Sequence, residues 1–186
     1  MVKTFLLQYK WIFYSILICT VVYWPSLSGP FLFDDFPNLR SLLSYNSGVI
    51  SATEVIFGGS ASALGRPVSM ASFLIGSESF PHNPWIFKFV NLVIHLSNGV
   101  LIFLLTRRLA DLTSLSKERI NWLATFCSLC WMLHPFLMSS VLLVVQRMTL
   151  LMTFFALASM LAYLKSRTQW GSRKGLLYLV LYVFFG

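Results

Sequence analysis

Four apolar stretches, each close to the length of a bilayer crossing, dominate the chain, and most of its positive charges cluster in short segments beside them. No other feature restricts the chain as much. A helix needs about 20 mainly apolar residues to cross the hydrocarbon. Residues 11–27 carry no charge, and the apolar residues 4–8 lengthen that run. Residues 85–106, 120–137 and 139–164 follow, and residues 175–186 form a fifth apolar run of only twelve residues. Inside lipid the backbone must satisfy its own hydrogen bonds, so such runs are helices. The pattern predicts an all-α integral membrane protein with about four complete transmembrane helices and a partial fifth. Residues 1–186 then form a single membrane domain, and the ending inside an apolar run reads as the amino-terminal part of a longer protein. A cleaved signal peptide competes for the first run, but Ser26-Leu27-Ser28 is a poor cleavage site.

Composition agrees. The chain is 57% hydrophobic and 11% charged, against about 25% charged in soluble domains. A net charge of +8 invites a nucleic-acid reading. No basic run with interleaved aromatics supports it, and no nucleic-acid partner is expected. The positive charges are better explained as flanks of membrane helices. Cys127 and Cys130 have CxxC spacing, yet no second pair and no histidine at zinc spacing accompanies them. On a helix, i and i+3 share a face, so packing is the expected role. No metal site and no cofactor are expected, although a divalent metal stays open.

The charges also orient the chain. With the amino terminus in the cytoplasm, Lys3, Lys10, Arg107, Arg108, Lys117, Arg119, Lys165, Arg167, Arg173 and Lys174 all fall on the cytoplasmic side. Only Arg40, Arg66, Lys88 and Arg147 fall outside, with Asp34, Asp35, Glu54 and Glu78. That distribution follows the positive-inside rule. The expected location is the plasma (inner) membrane, multi-pass.

Residues 28–84 then form a long first extracytoplasmic loop. Residues 36–45 and 51–57 suggest short helices, and residues 57–65 read as a flexible Gly/Ser loop. Pro67 opens an apolar run to Ile75 that is too short to span and suits a helix lying in the interface, or a buried one. In the second long helix, Asn91, His95 and Asn98 share a face at spacings of four and three. Such a face is expected to turn towards the bundle and hydrogen-bond there.

Two groups on the outer side have chemical potential. One is the adjacent pair Asp34 and Asp35. The other is the turn between the third and fourth helices, with His134, Gln146 and Arg147. An arginine deep in an apolar run costs about 2–3 kcal/mol unless it reaches the interface. Guanidinium binds phosphate bidentately. A sugar on a lipid phosphate has a good leaving group, so a base for the acceptor proton and a cation for the phosphate are what transfer needs. Asp34 or Asp35 suits the base. Arg147, helped by Arg66, suits the cation. The plainer readings are an N-cap for Asp35 and a loop charge, or a pair with Glu78, for Arg66.

The order of these segments resembles a family. Gly29-Pro30-Phe31-Leu32-Phe33-Asp34-Asp35 is followed by Gly65-Arg66-Pro67-Val68 with Ser72-Phe73. Then come Phe87 to His95, Leu133-His134-Pro135, and Val144-Val145-Gln146-Arg147. Together these resemble the amino-terminal part of GT-C type membrane glycosyltransferases, nearest to the O-mannosyltransferase-like proteins that carry tetratricopeptide repeats. The resemblance covers most of residues 28–164. It implies a GT-C-like helix bundle, a polyprenyl-phosphate sugar donor, and an acid pair at Asp34 and Asp35, with a slight preference for Asp35 as the base. Arg66, His134, Gln146 and Arg147 are the expected contacts to lipid phosphate, with Arg147 assigned by position. No tetratricopeptide repeat is present. The expected partners are membrane lipid, the polyprenyl-phosphate sugar and a protein or glycan acceptor. The alternative is a non-catalytic membrane assembly subunit or a transporter fragment, with Asn91, His95 and Asn98 as glue between helices.

Overall fold

The computed structural model describes residues 2–58, 66–169 and 172–185. Among them there is no strand. Helix α1 (Val2–Tyr23) runs into a 3-10 turn, Trp24–Ser28, where Pro25 blocks further α-helix. Four short helices follow: α2 (Asp35–Leu39), α3 (Ser41–Asn46), α4 (Ala52–Phe57) and α5 (Pro67–Phe73). The long helix α6 (Trp85–Ala110) precedes α7 (Lys117–Met132), the short α8 (Met138–Leu142), α9 (Arg147–Thr168) and α10 (Arg173–Phe185). Three spans are long and apolar enough to cross a membrane: Tyr9–Ser28, Trp85–Ala110 and Val144–Thr168. A fourth exists if Lys117–Met132 and Pro135–Leu142, bent by 50°, count as one. By length and hydropathy these helices suit a multi-pass membrane protein.

The third and fourth crossings differ from the sequence expectation. Residues 120–137 and 139–164 were expected as two continuous helices. Instead α7 stops at Met132, and the chain passes through a 3-10 turn at Pro135–Leu137 before α8. Pro135 has no N–H to donate, so a helix entering it from α7 would lose its bond there. A second break at Leu143, which is extended, separates α8 from the 3-10 turn Val144–Gln146. Arg147 therefore begins α9 rather than sitting inside it. Residues 59–65 of the expected flexible loop lie outside the described residues.

The chain divides into two compact units. The first comprises Met1–Val22, His95–Leu137 and Met152–Gly186. Trp11 packs on Trp122 with ring centroids 4.5 Å apart, and Tyr9 meets Phe103 at 6.0 Å. Close approach of α6 and α7 is enabled by Gly99: a Cβ there would lie 2.3 Å from Met132 Sδ. Ser128 Oγ donates to the Gly99 carbonyl at 2.7 Å. His95 Nε2 lies 2.9 Å from the Met132 carbonyl, and its ring stacks on Trp131. Small residues and polar bridges of this kind are how helices associate in lipid. Cys127 and Cys130 are free thiols.

The second unit comprises Tyr23–Ile94 and Met138–Leu151. Its core is Phe31, Leu39, Leu42, Val55, Met70, Phe73, Phe80, Phe87 and Val144. Thus α2 to α5 pack together through one core. Each gives at least one apolar side chain to a common core with the start of α6 and the turn before α9. Ser51 caps α4 in a reciprocal box with Glu54, as Ser-x-x-Glu spacing dictates. Gly76, at φ 81°, takes the left-handed turn that joins α5 to the next segment.

Candidate functional site

The site lies within the second unit, and it starts from the bend at residues 32–35. Phe33 has φ 47°, a conformation costing a non-glycine residue roughly 1–2 kcal/mol. Asp35 holds that bend. Its backbone N–H donates to the Leu32 carbonyl at 3.0 Å, and its Oδ2 accepts from Leu32 N at 3.0 Å. Its Oδ1 accepts from Val145 N at 2.8 Å. Both carboxylate oxygens are thus used on backbone, and Asp35 is fully buried. The N-cap expected at Asp35 falls one residue earlier, at Asp34, and Asp34 makes no side-chain cap bond.

Asp34 is the opposite of its neighbour. It is exposed, and among the described residues its carboxylate has no partner. Only its main-chain carbonyl is engaged, by Asn38. Phe33 and Phe36 flank it, 82% and 49% exposed. The acid pair is therefore divided. One carboxylate fastens the loop to the segment before α9, and the other stands open among apolar side chains.

Lys88, which the sequence reading placed only as an outer charge, completes the anchor. It is buried in the first turn of α6. Its Nζ donates to the carbonyls of Gly29 and Pro30, both at 2.9 Å, and it feels the charge of Asp35. A Cβ on Gly29 would lie 3.3 Å from that Nζ and from the Ser26 carbonyl oxygen, a tight fit that glycine relieves. The available signal was a lone lysine inside the apolar run of residues 85–106.

Arg147 is fully buried. Its Nε donates to Asn91 Oδ1 at 2.9 Å, its Nη1 to the Ser72 carbonyl at 2.6 Å, and its Nη2 to the Phe87 carbonyl at 2.8 Å. The guanidinium lies over the rings of Phe73 and Phe87, at 4.6 and 5.7 Å from their centroids. The Asn91 amide in turn donates to the carbonyl of Leu143, with those of Val141 and Val144 also in reach. The expected phosphate cation is thus turned inward, joining α5, α6 and the turn before α9. A buried cation is tolerable only where acceptors such as these replace water.

The remaining expected residues are dispersed. Arg66 is exposed at the start of α5, and its Nη1 touches Met148 Sδ at 2.7 Å. No ion pair to Glu78 forms among the described residues. Gln146 is half-buried and accepts from Thr149 Oγ1 at 2.7 Å. His134 belongs to the first unit, is exposed, and accepts from Phe136 N at 3.2 Å. Among the described residues no group of three His, Cys, Asp or Glu side chains is placed to hold a metal ion. No family model, no curated protein and no solved structure matches the chain.

Proposed function

We propose that this protein is a GT-C type membrane glycosyltransferase that moves a sugar from a polyprenyl-phosphate donor at the extracytoplasmic face of the plasma (inner) membrane. The observation that carries the reading is the open carboxylate of Asp34, next to a fully used Asp35. Four of the segments on which the family resemblance rests are bonded in this unit: the acid pair, the Ser72-Phe73 helix and the Phe87–Asn91 turn each bond to the Val144–Arg147 segment. In the proposed step, Asp34 takes the proton of an acceptor hydroxyl. The oxygen attacks the anomeric carbon, and the carbon–oxygen bond to the lipid phosphate breaks with its electron pair leaving on the phosphate. Arg66, exposed on the same unit, is the better cation for that phosphate, because Arg147 is fully buried and turned to Asn91, Ser72 and Phe87.

A second reading, a non-catalytic membrane subunit, is favoured by Arg147 itself. A cation spent entirely on holding helices together needs no substrate. The two separate in one experiment: native membranes carrying wild-type or Asp34→Asn protein are given labelled polyprenyl-phosphate sugars. The first reading expects transfer by wild type and a loss of 10²–10⁴-fold in the variant, the usual size of a general-base contribution. Equal transfer, or none by either protein together with stable co-purification of a partner, favours the second.

A further inference from the structure

Residues 29–36 are fastened to the beginnings of two apolar spans, and those bonds fix their height. Lys88 Nζ donates to the Gly29 and Pro30 carbonyls, and Lys88 sits in the first turn of the span Trp85–Ala110, about 4.5 Å of helix rise past Trp85. Long side chains on a helix lean back towards its start, so the two carbonyls lie level with that first turn. Asp35 accepts from the N–H of Val145, the second residue of the span Val144–Thr168. Between these bonds Phe31 packs on Phe87, with ring centroids 5.8 Å apart, and Phe36 packs on Phe31 at 6.0 Å. An aromatic cluster marks the same turn of α6. Trp85 stacks on Phe89 at 5.1 Å, and Trp24 meets Trp85 edge-on at 6.0 Å. Tryptophan belts of this kind stand where hydrocarbon gives way to headgroups.

At that height the segment leaves Leu32, Phe33 and Phe36 exposed. Phe33 is the extreme case. Its φ of 47° suits glycine, yet a phenyl ring stands there, 82% exposed. The core gains little from a ring turned out of the fold, and exposed apolar clusters mark contacts. We propose that Leu32, Phe33 and Phe36 dip into the membrane leaflet beside the starts of these two spans, as a wedge among the upper parts of the phospholipid acyl chains. Height selects lipid as the occupant. The rings Phe87, Phe31 and Phe36 run on from the span to the wedge, so its surface continues one that already suits hydrocarbon. The one exposed charge of residues 29–36 is Asp34, which limits the depth and stays with the headgroups. The inference rests on the bonds between this segment and the spans, and not on sugar transfer.

The test is photocrosslinking of the full chain in phosphatidylcholine vesicles that hold no polyprenyl lipid. The photoreactive p-benzoylphenylalanine replaces Phe33, Phe36 or Ser47, one at a time. Ser47 is exposed in the polar turn after α3 of the same unit and serves as the comparison. After irradiation, intact-mass spectrometry should show the chain gaining the mass of one phosphatidylcholine at positions 33 and 36, and the unmodified mass at position 47. Fragmentation should place the new bond on the glycerol or the upper acyl chain. An unmodified chain at position 33 overturns the proposal. So does equal lipid transfer at all three positions, which would mean that the benzophenone itself seeks the bilayer. A product of twice the chain mass puts a second copy on the patch and overturns it as well. If the variant at 36 does not elute as one species, position 33 against Ser47 decides alone, because Phe33 is the more exposed of the two.

Discussion

The guanidinium of Arg147 donates to Asn91 Oδ1 at 2.9 Å, and the Asn91 amide carries that contact on to the Leu143 carbonyl at 3.0 Å. The pair closes the turn before α9 onto the first two turns of α6. Because the bonds end on carbonyls of Ser72 and Phe87 as well, removing the arginine leaves several buried acceptors without donors. Each such acceptor costs about 1–3 kcal/mol. Arg147→Met should therefore destabilise strongly, and Arg147→Lys should not rescue it, since one ammonium cannot serve three separated acceptors. Unfolding in graded detergent denaturant checks this. Wild-type stability in Arg147→Lys would show that charge alone is what the site needs.

Asp35 and Lys88 hold the bend from opposite sides. Asp35→Asn exchanges one acceptor oxygen for an NH₂ that faces a backbone N–H, of Leu32 or of Val145. The expected cost is about 1–3 kcal/mol. Lys88→Met strips the donors from the Gly29 and Pro30 carbonyls and should cost a similar amount. Asp34→Asn touches no bonded side chain and should fall within about 0.5 kcal/mol of wild type, as surface changes do. The same denaturation series separates the three.

Gly76 is a position where the backbone leaves no choice. Its φ of 81° disfavours any side chain, and a Cβ would lie 2.3 Å from Ile86 Cγ2. Gly76→Ala combines left-handed strain with overpacking and should cost about 2 kcal/mol or more. Gly48 shares the conformation at φ 73° but opens on empty space, so Gly48→Ala should be clearly milder. A difference of zero between the two would remove the close contact with Ile86 as the cause.

Glu54 gives the loop a pH response. Bonds from the Ser51 backbone and hydroxyl hold its carboxyl below the ordinary 4.5. A group whose folded pKa is depressed binds its proton more readily when unfolded. Its contribution is therefore complete above the ordinary carboxylate value and is lost as pH falls through the folded one. Amide exchange in Ala52–Phe57 should speed up over that acidic window, and Glu54→Gln should show no such step.

The parts of the fold that were legible in the sequence are those set by local physics. Residue 85 is legible as the start of the second long helix because the apolar run begins there, just after Pro84, and Pro67 as the start of a short one because proline at the first helical position acts locally. The buried Asn91, His95 and Asn98 face followed from spacing alone. What the sequence hid were contacts between distant segments. Nothing in Asp34-Asp35 tells which carboxylate meets Val145, 110 residues away. Nothing near Arg147 shows that Ser72 and Phe87 offer their carbonyls. The stop at His134-Pro135 was legible as a proline at the end of an apolar run, but the second break, at Leu143, was not, because Leu143 stands among apolar residues.

The central claim is the division of labour within the acid pair, Asp34 as the base and Asp35 as the anchor. The most direct measurement is the rate of sugar transfer from labelled polyprenyl-phosphate donors, divided by the amount of folded protein, in membranes carrying Asp34→Asn or Asp35→Asn. The account predicts that Asp34→Asn keeps wild-type protein levels and loses transfer by 10²–10⁴-fold. It predicts that Asp35→Asn loses folded protein, while what remains folded still transfers. Full transfer by Asp34→Asn, or a loss confined to the folded fraction of Asp35→Asn, would contradict it.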